Sequence, residues 1–187
     1  MPAVFLSTWT VLRVALHTPE SIAFVWAVVI AQAVQLWAVM PLTVWRAQHT
    51  SGGSARKSVI WAVAIQYSSL VFQIWWSDPW MSQRLVSVYL TLYATTMAFG
   101  VWGDRDVMNR FVPVPKDADV PLAFRRHLLK LYALVAVLAI ATNETLLAVN
   151  APLNSRVVTL SLLPIVLHYF FVISLRLTYP PLDECDS

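Results

Sequence analysis

Two ionisable side chains stand inside segments that are otherwise apolar, and they are the residues best suited to chemistry. Glu144 lies in the run LLKLYALVAVLAIATNETLLAVN (residues 128–150), and His168 lies in LPIVLHYFF. An ionisable side chain within a membrane segment is a functional candidate because burying its charge in hydrocarbon is costly. A small intramembrane enzyme acting on a lipid or isoprenoid-like substrate would use Glu144 and His168 as its acid and base.

Both residues also have a structural interpretation. Glu144 would hydrogen-bond to Gln73 or Tyr89 and fix the packing of the helices, as small polar networks do in membranes. His168 would be a satisfied core histidine, and its functional alternatives are a general base, a single axial ligand or a proton relay. His168 follows Pro164 by one turn, and a proline can kink a helix and so widen a site.

Polar residues in the apolar segments recur at helical spacing, which puts each set on one helix face. A polar face in hydrocarbon must turn toward other helices or a cavity, so we predict that these residues line the interior of a helix bundle. At a rise of 1.5 Å per residue, Glu144 lies about 7–8 Å below the outer end of its segment and His168 about 18–20 Å. Gln73 and Tyr89 are expected near the level of Glu144, and the others deeper. The candidate ligand-binding residues are Gln32, Gln66, Gln73, Tyr89, Tyr93 and Thr96.

The composition requires a membrane around these residues. Of the 187 residues, 58% are hydrophobic and only 12% are charged, whereas a soluble domain carries about 25% charged residues. Five segments are apolar enough to cross a hydrocarbon layer, which takes about 20 helical residues. We therefore predict the all-α class, a polytopic membrane protein with a five-helix transmembrane bundle. The five spans are roughly 20–42, 58–77, 83–102, 127–149 and 155–176.

The remainder of the chain divides into short flanking parts. Residues 1–18 are predicted to form a short amphipathic segment at the membrane interface, with an organelle-targeting peptide as the alternative. The transmembrane domain then covers 19–178, and 179–187 form a short polar tail.

The distribution of basic residues predicts the orientation. With five spans, ten of the thirteen lysines and arginines fall on one side, and the other side receives Arg13, Arg84 and Arg156. The positive-inside rule then places the N-terminus outside and the C-terminus inside. The ten residues of the inner side are Arg46, Arg56, Lys57, Arg105, Arg110, Lys116, Arg125, Arg126, Lys130 and Arg176.

Several kinds of site are not supported by the sequence. The single cysteine, Cys185, permits no intrachain disulfide and no cysteine cluster. The other histidines, His17, His49 and His127, are expected near the interfaces, so no metal site is predicted and no cofactor is indicated. No phosphate-binding loop, Ser-His-Asp arrangement or nucleic-acid patch is present.

The sequence favours an interaction protein over an enzyme. Small soluble loops, the lack of a catalytic motif and apolar aromatic stretches such as HYFFVISL predict an integral subunit of a larger membrane complex. Its role would be structural, or it would contact a cofactor or lipid, and its partners would be membrane lipids and other membrane proteins, with no nucleic acid. The enzyme that uses Glu144 and His168 is the alternative, and an ion-coupled carrier is a third interpretation, weakened by the single buried acid.

Overall fold

A computed structural model describes residues 2–50, 53–103 and 121–178, and the side chains of 39–62 lie outside the described set. The described residues are helical, with no strand among them, which confirms the predicted all-α class. A short π-helical segment, Val11–Ala15, continues the first helix. The helices are α1 (Pro2–Thr10), α2 (Glu20–Thr50), α3 (Gly53–Trp76), α4 (Pro79–Val101), α5 (Leu122–Ala148) and α6 (Leu153–Thr178).

Four of these helices are long and apolar enough to cross a membrane, as expected of a multi-pass membrane protein. They are α4, α5, α6 and the part of α2 from Glu20 to Ala38. Helix α3 coincides with the predicted span 58–77 but is not among the four, and the side chains of residues 53–62 are outside the described set. The predicted count of five spans is therefore not confirmed.

The turn between α3 and α4 shows why the latter begins earlier than predicted. Ser77 has a positive φ of 51°, which ends α3. The Asp78 carboxylate then accepts a hydrogen bond from the Trp80 N–H at 2.9 Å, the usual role of an acidic N-cap. Pro79 takes the first helical position, where its missing N–H costs nothing. Helix α4 thus starts four residues before the predicted position 83, which moves Arg84 from the end of the span into its second turn.

The turn between α5 and α6 is equally compact. Asn150 has a φ of 47°, and asparagine is one of the few residues other than glycine that tolerate this conformation at a helix end. The Arg156 Nε donates to the Ala151 carbonyl at 2.6 Å and so holds the turn against the first turn of α6.

The chain forms two compact units, and the first consists of Met1–Gln83 and Ala151–Leu162. Its core joins α1, α2 and the beginning of α6 around Phe24. The rings of Phe5 and Trp9 meet Phe24 edge to face, with centroids 5.9 and 6.3 Å apart. Ala23, Ala27 and Ala31, spaced four apart on α2, are buried in this cluster, and such small side chains let helices approach closely. The N-terminal segment is therefore packed onto α2, and its location at the membrane interface stays a prediction.

The second unit consists of Arg84–Asn150 and Leu163–Ser187. Its apolar contacts link α4 to α5 and α5 to α6. Leu129 is fully buried and is packed by Met97 and Val101. The rings of Tyr132 and Phe171 stack with centroids 4.9 Å apart. These contacts position the polar residues of α4 and α5.

Candidate functional site

Glu144 is one half of an ion pair between α4 and α5. The Arg84 Nη1 donates to the Glu144 Oε2 at 2.5 Å, and the two side chains are 46% and 32% exposed. The other carboxylate oxygen, Oε1, is buried and accepts no hydrogen bond from the described residues. An opposite charge at this distance offsets part of the desolvation cost of both charged groups.

The expectation that Glu144 bonds to Gln73 or Tyr89 is wrong, because its partner is Arg84. The same depth arithmetic could have found this pair. Glu144 lies four residues before the end of α5, about 6 Å along the axis, and Arg84 lies five residues into α4, about 7.5 Å along it. A span that begins at residue 83 places Arg84 at the membrane boundary, where an arginine indicates topology and needs no partner within the membrane.

A second polar contact lies directly beside the ion pair. Asn143 is buried, and its Nδ2 donates to the Ser87 Oγ at 2.7 Å. Ser87 follows Arg84 by three residues on α4, while Asn143 precedes Glu144 by one on α5. The two contacts together therefore fasten one face of α4 to α5. Ser87 was not among the residues predicted from the sequence, although serine is a common hydrogen-bonding residue between membrane helices.

The first unit has its own interhelical bond, between α2 and α3. The Gln73 Nε2 donates to the Gln32 Oε1 at 3.1 Å, and Gln73 is only 2% exposed. The prediction that Gln32 lies deeper than Gln73 is thus wrong. That prediction requires all helices to begin in one plane. Gln32 lies twelve residues after the start of α2, whereas its partner Gln73 lies only three residues before the end of α3.

The first unit also contains a buried basic residue, Arg156. Arg156 is 7% exposed, and its Nη1 donates to the Gln83 Oε1 at 3.1 Å. The distribution of basic residues places Arg156 on the outer side and predicts no partner for it. Its guanidinium instead bonds an amide of α4 and the Ala151 carbonyl.

The remaining predicted residues do not form one interior set. Gln66 and Tyr89 are half-buried, whereas Tyr93, Thr96 and His168 are exposed. The Thr96 Oγ1 donates to the Leu92 carbonyl of its own helix, so its hydroxyl is satisfied without a neighbour. The prediction that Tyr93 and His168 face the interior is therefore wrong for this chain by itself.

The proposed acid–base pair is not assembled by any contact found in the described ranges. Glu144 is bonded to Arg84, while His168 contacts the ring of Tyr169, with centroids 6.1 Å apart. Within those ranges, no group of three or more His, Cys, Asp or Glu side chains is placed to hold a metal ion. The geometry around Glu144 is that of a polar contact that stabilises the packing of α4 against α5.

Comparison with known proteins gives no relative. No protein-family model, curated protein or solved structure matches this chain.

Proposed function

We propose that this chain is an integral membrane subunit of a larger membrane protein complex. The observation that carries the proposal is the exposure of His168 in the middle of α6. His168 stands fifteen residues after Leu153 and ten before Thr178, which is about 15 Å from the nearer helix end. At that depth in a membrane, hydrocarbon would surround this exposed imidazole unless another protein covered it.

Lipid alone is a poor cover for this side chain. Ionisable and polar groups within membrane segments are rare, and they face other protein or a water-filled cavity. Among the side chains that the structure describes, none forms a hydrogen bond with the His168 ring. A second membrane protein with a hydrogen-bonding side chain at the same depth would satisfy it.

The same face of α6 carries a second unsatisfied feature. Pro164 is exposed and precedes His168 by four residues, so the two lie on one face. Proline has no N–H, so the Leu160 carbonyl loses its usual intrahelical donor. In membranes such freed carbonyls are satisfied by neighbouring helices, side chains or water. This face therefore suits a partner helix that both accepts and donates hydrogen bonds.

The low burial of α4 and α6 favours these two helices as the docking region. In their most apolar windows, only 17% of the residues of α4 and of α6 are buried, against 39% in α2. Tyr93, in the middle of α4, is 41% exposed and adds a second polar group to this unburied surface.

The proposed topology has five spans, with α3 as the second, the N-terminus outside and the C-terminus inside. Exposed tryptophans support the positions of the membrane boundaries. Trp75 and Trp76 end α3 and Trp80 starts α4, while Trp102 follows α4. Tryptophan prefers the headgroup level, so the α3–α4 turn would lie at one interface and the end of α4 at the other.

The enzyme alternative has less support. A general acid or base must reach the proton that it transfers, and the Glu144 carboxylate is instead occupied by an ion pair with Arg84. His168 is exposed and has no described contact with that carboxylate.

Photo-crosslinking in native membranes tests the proposal. A benzophenone amino acid replaces His168, and in a matched control it replaces Val166, which is 61% exposed on nearly the opposite side of α6. We expect the label at 168 to yield a discrete protein adduct, while the label at 166 yields lipid adducts. The adduct is identified by mass spectrometry of the crosslinked band.

Two results would count against a subunit that docks through this face. One is that both labels give lipid adducts alone. The other is that the label at 168 crosslinks many unrelated membrane proteins as strongly as the label at 166 does.

A further inference from the structure

Arg125 is a buried cation to which no described residue supplies a partner. It is only 5% exposed, and its Nε and Nη1 atoms are buried without a hydrogen-bond acceptor. A guanidinium never loses its charge in proteins, so it cannot lower the cost of burial by becoming neutral. An unpaired buried charge is strongly destabilising. An anion is therefore needed beside Arg125.

The position of Arg125 places that anion at the level of the lipid headgroups. Helix α5 has 27 residues, so it is about 40 Å long, the thickness of a bilayer including its headgroup layers. Arg125 is the fourth residue of this helix, about 5 Å from its first residue. Four residues later on the same face, the fully buried Leu129 packs against Met97 and Val101. The guanidinium thus lies at the end of the α4–α5 contact.

The surroundings favour negative charge. Helix α5 begins after Pro121 without a side-chain cap, and its first turn has no acidic residue. The first N–H groups of a helix have no carbonyl partner within the helix, and this end carries a partial positive charge. Arg126 and Lys130 are both exposed nearby and add two further positive charges.

We propose that Arg125 binds the phosphate of an anionic phospholipid at this end of α5. Hydrogen bonds between a guanidinium and a phosphate oxygen are charge-assisted and therefore strong. A headgroup with a net negative charge neutralises the buried cation, whereas a choline headgroup brings its own positive charge to the site. The acyl chains of the same lipid would extend from this headgroup level into the hydrocarbon layer.

The test uses the full chain purified in a neutral detergent. Phosphatidylglycerol, phosphatidylcholine and inorganic phosphate are each titrated, and bound lipid is counted by native mass spectrometry while Tm is followed. For the wild type we expect one tightly retained phosphatidylglycerol and a saturable rise in Tm that neither other addition reproduces. Arg125→Gln should bind that lipid at least about tenfold more weakly, the loss expected for one charge-assisted hydrogen bond.

Arg126→Gln is the matched control, because it removes an equal charge from the exposed neighbour on the same turn. It should weaken binding much less than Arg125→Gln does, because an exposed charge is screened by solvent. If Arg125→Gln does not fold, Arg125→Lys keeps the charge and loses the planar donors, and it should bind with intermediate affinity.

Any one of four results would overturn the proposal. The first is that phosphatidylcholine stabilises the wild type as strongly as phosphatidylglycerol does. The second is that inorganic phosphate alone produces the whole rise in Tm, which would make the site one for a free anion. The third is that Arg126→Gln weakens binding as much as Arg125→Gln does. The fourth is internal pairing, in which the Tm without lipid falls equally with Arg125→Gln and with simultaneous asparagine substitution of Asp104, Asp106, Asp117 and Asp119.

Discussion

Arg84 on α4 donates a hydrogen bond to Glu144 on α5, and the two charged groups form an ion pair within the second unit. Ser87 and Asn143 bond directly beside it. The carboxylate that made α5 unusual in the sequence is thus part of a contact that holds two helices together.

Breaking the ion pair should destabilise the second unit modestly. Arg84→Gln and Glu144→Gln should each lower the free energy of unfolding by about 1 kcal/mol, as is typical of polar contacts between membrane helices. The double variant should lose less than the sum of the two, because each single variant already removes the charge pair. Unfolding in mixed micelles measures this coupling. Strictly additive losses would show that the pair contributes nothing to stability.

Glu144→Gln should also preserve assembly. Glutamine keeps the shape of the side chain and still offers an oxygen to the Arg84 guanidinium. We expect the variant to enter the same complex as the wild type, as judged by its elution in mild detergent. Loss of a measurable turnover in a well-folded Glu144→Gln protein would instead support the enzyme interpretation.

Removing the buried amide between α2 and α3 should cost more than removing an exposed one. Gln73→Leu eliminates the bond to Gln32 and should lower the free energy of unfolding by about 1 kcal/mol. Gln35→Leu is the control, since Gln35 is exposed on the same helix as Gln32. Equal effects of the two substitutions on unfolding would contradict the assigned role of Gln73.

The packing of α1 on α2 gives a larger predicted effect. Trp9→Ala removes an aromatic ring from the cluster around Phe24. We expect a loss of about 1–3 kcal/mol, below the range for soluble cores because lipid also solvates apolar surface. Leu6→Ala, at an exposed position of α1, should be nearly neutral. If both variants unfold like the wild type, α1 does not contribute to this core.

Much of the helix framework is predictable from the sequence, and the pairing of side chains is not. Hydrophobic length and turn residues such as Asp78, Pro79 and Asn150 place the ends of α4 and α5 to within a few residues. The partner of Glu144 depends on where α4 begins, and a four-residue error there turned Arg84 into a boundary residue. Gln32 and Gln73 show a second limit, since depth along a helix equals depth in the bundle only when the helices start in one plane.

Burial was the least predictable property. Helical spacing correctly puts Pro164 and His168 on one face of α6, together with Ser161. Ser161 is buried in the first unit, while His168 is exposed in the second. Periodicity identifies a face of a helix but does not say which part of that face another helix covers.

His168 should affect assembly more than folding. His168→Leu removes the hydrogen-bonding ring from the proposed docking face, while His168→Gln keeps a donor and an acceptor there. We expect the leucine variant to dissociate from the complex and the glutamine variant to be retained, with little change in Tm of the isolated chain for either. Blue native electrophoresis of solubilised membranes distinguishes these outcomes, and full retention of the leucine variant would oppose the assigned face.

The most direct measurement of the proposed function is the mass of the native assembly. The chain is purified in a mild detergent from the membranes of the cell that makes it, and the assembly is analysed by native mass spectrometry. A subunit of a larger complex should be recovered with other membrane proteins at fixed stoichiometry. Recovery as a single chain with bound lipid and no protein partner would contradict the proposal.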